Sequence, residues 1–237
     1  MRKRFALSVA SIAALSMVGA PAVFAQNDIE VGNPDHLAYS VIERGAEVGG
    51  RSYQDWINDY GEWFLWSRTP DNPPPDVLAD CDGGQPGGDV FFIPSTQIGH
   101  TTEYECAVRS DQHLLLWIGG TVGWVDDGQT QEERLAQLYS GFTHNHGFEF
   151  TLDGRTLPVG GHLGFEPDFY SVELGEDNLF GLPAGPRDVF MVGYFALLEP
   201  LEAGEHSLTV KSSLLDPERG TVDTVATATL DVADASS

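Results

Sequence analysis

Basic side chains are scarce in this chain: 12 Lys and Arg stand against 36 Asp and Glu in 237 residues. A surface so short of positive charge repels phosphate backbones and anionic lipid, which argues against nucleic acid and membrane surfaces as partners. Beyond the N-terminus no apolar run is long enough to span a bilayer. Cysteine is limited to Cys81 and Cys106, and their spacing is not that of a C-x-x-C redox or zinc pair. The chain also has no G-x-S-x-G elbow, no H-E-x-x-H, no P-loop and no dinucleotide fingerprint. Serine hydrolases of the elbow type, zincins and nucleotide enzymes are thereby disfavoured, although an enzyme of another kind is not.

What the N-terminus does contain is a basic Arg2-Lys3-Arg4 followed by the apolar stretch Phe5 to Val18. Ala20-Pro21-Ala22-Val23-Phe24-Ala25 then offers a small-x-small cleavage site, so residues 1–25 read as a secretory signal peptide. Ser8, Ser11, Ser16 and Pro21 interrupt the stretch as a membrane anchor. The expected product is a single domain over residues 26–237, periplasmic or extracellular, with no membrane attachment after cleavage. Losing Arg2, Lys3 and Arg4 leaves nine basic residues against 36 acids, a formal charge of −27. That excess suits saline surroundings, where salt screens self-repulsion; the competing reading is binding of a cation or recognition of a cationic ligand. In an exported chain the two cysteines are expected to pair with each other. The loop they close, about 25 residues, adds roughly 3.5 kcal/mol in the chain-entropy account.

The stretch from Asp76 to Gly120 organises the rest. It holds both cysteines, a Gly/Pro-rich turn at 83–88 and three strand-like runs at 89–94, 104–109 and 113–118. The last run is almost continuously apolar, as a central strand covered on both faces would be. Upstream, Leu37 to Val48 reads as a short helix. Ser52 then caps a stronger one over about 52–67, with Tyr53, Trp56, Ile57, Tyr60, Trp63 and Phe64 on one stripe. Such a stripe fits a helix docked on a sheet; the alternative is a sugar-stacking platform. Asp71-Asn72-Pro73-Pro74-Pro75 is an extended spacer. A second capping box, Thr130-x-x-Glu133, starts a helix over about 130–142. Thereafter Phe148–Leu152, the Asp153-Gly154 turn and Arg155–Val159 form a hairpin, followed by strands at 168–174, 189–198, 206–211 and 224–232. The fold class is mostly β: an antiparallel β-sandwich or jelly roll with two short helices.

Taken together, the aromatic helix Trp56–Trp66, the Pro70–Pro75 spacer, Gly84-Gln85-Pro86-Gly87, the apolar Val90–Ile93 and Cys106 resemble an uncharacterised family of bacterial secreted β-sandwich proteins. Asn178-Leu179-Phe180-Gly181-Leu182-Pro183 and the segment Pro200–His206 share its texture. The resemblance implies the architecture and carries no activity with it.

Chemistry is best supported between Gly141 and Glu166. His144-x-His146 on a strand would share a face, and Glu149 and His162 follow. Two or three imidazoles with a carboxylate suit a divalent transition metal such as Zn, Fe, Mn or Cu. The order of these residues is similar to the two metal motifs of cupins, which are jelly rolls. It departs from them in the two-residue gap between His146 and Glu149, the short Gly154–Pro158 segment and the early His162. Asp80-x-Asp82-Gly83 with Asp89 is a candidate Ca2+ set lacking the other ligands of an EF-hand loop. Glu166, Asp168 and Tyr170 beside His162 are the candidates for acid–base work, with Glu149 or Glu166 as fourth ligand or base. Two functions follow as expectations. One is a non-enzymatic binding module for a glycan or small molecule, anchored by Trp56, Trp63, Trp117 or Trp124. The other is a metal-dependent, cupin-like enzyme using His144, His146 and His162.

Overall fold

The computed structural model describes residues 41–74, 81–141, 145–157, 159, 163–216 and 220–235, the side chains of 139–141, 145, 146, 215 and 216 excepted. In chain order, β1 (Glu47–Val48) and β2 (Arg51–Ser52) precede helix α1 (Tyr53–Gly61), which continues as a π-helical turn, Glu62–Trp66. Next come β3 (Val90–Ile93), β4 (Thr101–Arg109), β5 (His113–Trp124) and helix α2 (Gln131–Gly141). The rest is strand: β6 (Asn145–Leu152), β7 (Arg155–Leu157), β8 (Gly164–Phe165), β9 (Tyr170–Leu174), β10 (Gly185–Leu198), β11 (Gly204–Asp216) and β12 (Gly220–Ala233).

The long strands make two five-stranded sheets. The first runs β3-β5-β10-β8, with β9 also on β10; the second runs β4-β12-β11-β6-β7. Most pairs are antiparallel, as expected of a sandwich, but β3/β5 and β12/β4 are parallel. The reason lies in the path of the chain. β4 belongs to the opposite sheet from β3 and β5, so the chain reverses twice before returning beside β3 in the same direction. Hairpin reasoning along the sequence does not anticipate such crossovers.

Leu114, Leu115 and Leu116 are all buried, which a strand achieves only with cover on both faces. Leu114 and Leu116 face the second sheet, where they join Phe91, Tyr104, Phe150, Leu208 and Leu230 in the central core. Leu115 faces the other way, into a layer built with Phe92, Phe195 and Leu197 under α1. β4 alternates accordingly, with Tyr104, Cys106 and Val108 buried and Glu103, Glu105 and Arg109 exposed. Cys81 and Cys106 are bonded, with their Cα atoms 5.2 Å apart, and both lie in the central core.

α1 starts as its sequence dictates. Ser52 Oγ accepts from the Asp55 N–H at 3.2 Å, and the Asp55 carboxylate accepts from the Ser52 N–H at 3.1 Å. Its aromatic stripe lies on the first sheet, and the polar tips find carbonyls on β3, β10 and the neighbouring β1. Tyr53 donates to Phe195 O at 3.3 Å, Tyr60 to Ile93 O at 2.9 Å and Trp56 Nε1 to Val48 O at 3.1 Å. Gly61 is required by packing, because a Cβ there would meet the Tyr170 hydroxyl and come 2.7 Å from Met191 Sδ. The π turn that follows bonds Ser67 N to Glu62 O at 3.0 Å, and the Trp63 carbonyl it displaces accepts from Arg68 Nε at 2.6 Å. α2 begins at the expected box, Glu133 N donating to Thr130 Oγ1 and Thr130 N to the Glu133 carboxylate.

The helix expected over Leu37–Val48 is corrected for its described part. Val41 bridges Leu198, Ile42 N donates to Leu197 O at 2.8 Å, and the chain turns into β1. An open edge on β10 outcompetes a weakly capped helical segment.

Candidate functional site

The expected metal set cannot be read here: His144 and His162 lie outside the described residues, as does the side chain of His146. Glu149 is described. It stands exposed on the outer face of the second sheet, in register with Lys211 of β11. Of the Ca2+ set, Asp80 lies outside the described residues, and Asp82 accepts the Ala107 N–H at 3.2 Å, a structural tie. Asp89 packs its carboxylate against Gly49. Among the described residues no three His, Cys, Asp or Glu side chains come together.

The acid–base candidates have unlike surroundings. Glu166 and Asp168 are exposed between β8 and β9. The Tyr170 hydroxyl is enclosed against Gly61 and accepts from Trp66 Nε1 at 3.0 Å. Burial raises its pKa, the Trp66 bond offsets part of that, and the nearby Glu62 and Asp59 charges add to the rise. It is therefore a neutral phenol at neutral pH, and its bond from Trp66 fastens β9 to the π turn.

The candidate tryptophans also divide. Trp56 and Trp63 are each 6% exposed and sit in the layer under α1, which removes the sugar-stacking platform on that helix. Trp117 and Trp124 are half-buried. Trp124 is taken up by Phe180, at 5.3 Å between centroids, and by Asp126, which accepts its Nε1 at 2.9 Å. Trp117 stacks on Phe195 with its ring inclined by only 13°, and it forms part of the wall of a cleft.

That cleft arises from a defect in β5. Tyr194 pairs Gly119 and Phe195 pairs Trp117, so Ile118 is an extra residue, a bulge. Its effect is to break the alternation of faces. Ile118 packs in the central core, and a Cβ on Gly119 would strike Phe148 on the same side. Beyond the bulge the positions turned to the second sheet are Gly119, Thr121 and Gly123, all small. Facing them across the sandwich, Val210, Ser212, Thr224 and Ala226 are small too, and a space of about 230 Å³ remains at this end of the molecule. Phe64 and Leu65 of the π turn close one side. The turn Ser95–Ile98 forms the rim.

The rim is held firmly. Ser95 N donates to Tyr60 Oη at 3.1 Å and Ser95 O accepts from Tyr104 Oη at 2.8 Å, which ties it to both neighbouring layers. His100 N closes the turn on Gln97 O at 3.0 Å, and Gly99, with φ +82°, donates to Thr224 Oγ1 at 2.8 Å. At the tip Ile98 is 66% exposed, the one large apolar side chain so exposed among the described residues. No described residue lining this cleft is ionisable, in a chain that carries 36 acids and 12 bases. Trp117 is the member of this wall that the sequence nominated; Thr121 and Ile98 were missed. The available signal was the run Gly119-Gly120-Thr121-Val122-Gly123, because small residues inside a strand mark a bulge or a close approach.

No family model, no curated protein and no solved structure matches this chain.

Proposed function

We propose that this protein is an exported binding module whose cleft between β5 and β11/β12 takes a small, uncharged, largely apolar group. The observation that supports it is that, among the described residues, no ionisable side chain lines this concave, apolar-walled space on so acidic a chain. Placing a charged ligand there would strip its hydration with no counter-charge to replace it, which is costly. Size narrows the ligand further. At about 230 Å³ the space is smaller than the roughly 300–1,000 Å³ that holds drug-sized molecules, so it suits one ring or a short aliphatic group. A glycan chain needs a broad aromatic platform, and Trp56 and Trp63 do not supply one. The buried disulfide is compatible with an oxidising compartment outside the cytosol.

The test is uptake of fluorobenzene, a neutral single ring that fits the space, read by its 19F resonance. The wild type takes it up saturably at one site, and Thr121→Trp, which fills the mouth, abolishes uptake while the melting curve keeps its shape. Absent uptake by the folded wild type, or equal uptake by Thr121→Trp, overturns the reading.

A further inference from the structure

Six consecutive residues, Trp117 to Val122, line the cleft. Even with the bulge, this run has members on both faces of the sheet, Trp117 and Val122 toward the α1 layer and Ile118 and Gly119 toward the second sheet, so the space they share lies along the strand's edge. The edge can be identified. β3 pairs with β5 in parallel from Val90↔His113 to Ile93↔Leu116 and then ends, while β10 occupies the other side of β5 as far as Trp124. Among the described residues no strand pairs with that edge from Trp117 onward, and it forms the wall of the cleft. Strand edges direct a peptide N–H and C=O outward at every second residue, and here those groups face the cleft.

Proteins usually blunt such an edge with charge, with proline, or by covering it. This one carries neither charge nor proline, in a chain where Glu103 and Glu105 guard the outer strand β4. Gly119 and Gly120 carry no side chain to screen the backbone; a Cβ on Gly119 would strike the Phe148 ring, and one on Gly120 would come 2.7 Å from Gly193 Cα of the paired strand β10. Bare glycine in a strand lets another backbone come close.

We infer that the ligand of this cleft is an extended peptide segment with neutral side chains, which adds to β5 where β3 stops. Its backbone bonds the free edge of Trp117–Val122, and one apolar side chain fills the space beneath Ile98. This rests on the cleft reading above and specifies its ligand class. Recognition is through main-chain groups, with one pocket supplying side-chain preference.

The experiment titrates acetyl-Val-Thr-Val-amide, and the same peptide N-methylated at its three main-chain amides, into the full chain. Binding is followed by 15N-resolved NMR at the Gly119 and Gly120 amides, which report weak binding. The plain peptide shifts both resonances saturably, the N-methylated one binds at least about tenfold more weakly because it has lost its donors, and Thr121→Trp removes both responses. If fluorobenzene binds but the two peptides bind equally, or neither binds, strand addition is overturned and the apolar cleft stands. If neither fluorobenzene nor peptide binds the folded wild type, both readings fall.

Discussion

Gln85 is the side chain whose replacement tests the fold most sharply. Its amide mimics a strand beside β3: Nε2 donates to Cys81 O at 2.8 Å and to Phe92 O at 2.7 Å, while Oε1 accepts from Phe92 N at 3.0 Å. Phe92 is fully buried, so these bonds satisfy main-chain groups that have lost water. Gln85→Ala gives up three bonds of about 0.5–1.5 kcal/mol each, although water reaches part of the vacated site, for a loss of about 2–3 kcal/mol. Gln85→Glu preserves the shape and the bond from Phe92 N, but sets an oxygen with no proton against two carbonyl oxygens. The expected loss at pH 7.5 is about 3–4 kcal/mol, or roughly 6–16 °C in melting temperature. The introduced carboxyl has its folded pKa raised above the unfolded value near 4.3, so its penalty is complete above the folded pKa and fades as pH falls through it. Urea unfolding of wild type and variant at pH 7.5 and pH 5 measures this. Equal stability at pH 7.5, or a difference that ignores pH, refutes the strand-mimic account.

Replacing both Cys81 and Cys106 by Ser removes the bond closing a 25-residue separation, and should lower the melting temperature by roughly 7–14 °C; calorimetry with and without reductant checks it. His206 presents Nδ1 to Asp153 Oδ2 at 2.8 Å and Nε2 to Glu202 O at 2.9 Å, both acceptors, and so favours the doubly protonated ring. Burial lowers its pKa, but those bonds and the Asp153 and Glu202 charges outweigh burial and leave it raised. Its stabilisation is therefore full below the unfolded value near 6.5 and lost as pH rises through the higher folded value. Melting curves between pH 5.5 and 8.5 should show that loss in the wild type and not in His206→Gln. Gly61→Ala, favourable for an isolated helix, should instead cost about 1–3 kcal/mol by overpacking. Adding Tyr170→Phe should recover part of it, and additive losses in denaturant titrations would refute the contact.

What could be read in advance was whatever depends on neighbours along the chain. The Ser52 and Thr130 boxes, the aromatic stripe of α1 and the Asp153-Gly154 turn act over a few residues and appear where expected. The run Leu114–Leu116 announced a doubly covered strand by its lack of alternation alone. The Cys81–Cys106 bond followed from there being no other cysteine. Features set by distant meetings stayed hidden. The parallel pairs depend on which sheet β4 joins, and the place of Tyr170 depends on a helix 104 residues upstream. The cleft needs three things at once: the Ile118 bulge, small residues on β11 and β12, and a rim tied by two tyrosines. For the histidines, H-x-H spacing specifies a shared face and nothing about what lies opposite it, so convergence was never legible there.

The order of the layers has a consequence for how this molecule is born. α1 is made early, yet the Phe195 carbonyl that receives its Tyr53 hydroxyl is made 142 residues later. Likewise, β4 has no partner strand until β12, near the end of the chain, has been synthesised. In a nascent chain α1, β3 and β5 can meet early, whereas the pairing of β4 waits for the final strands, so the sandwich closes only late in translation.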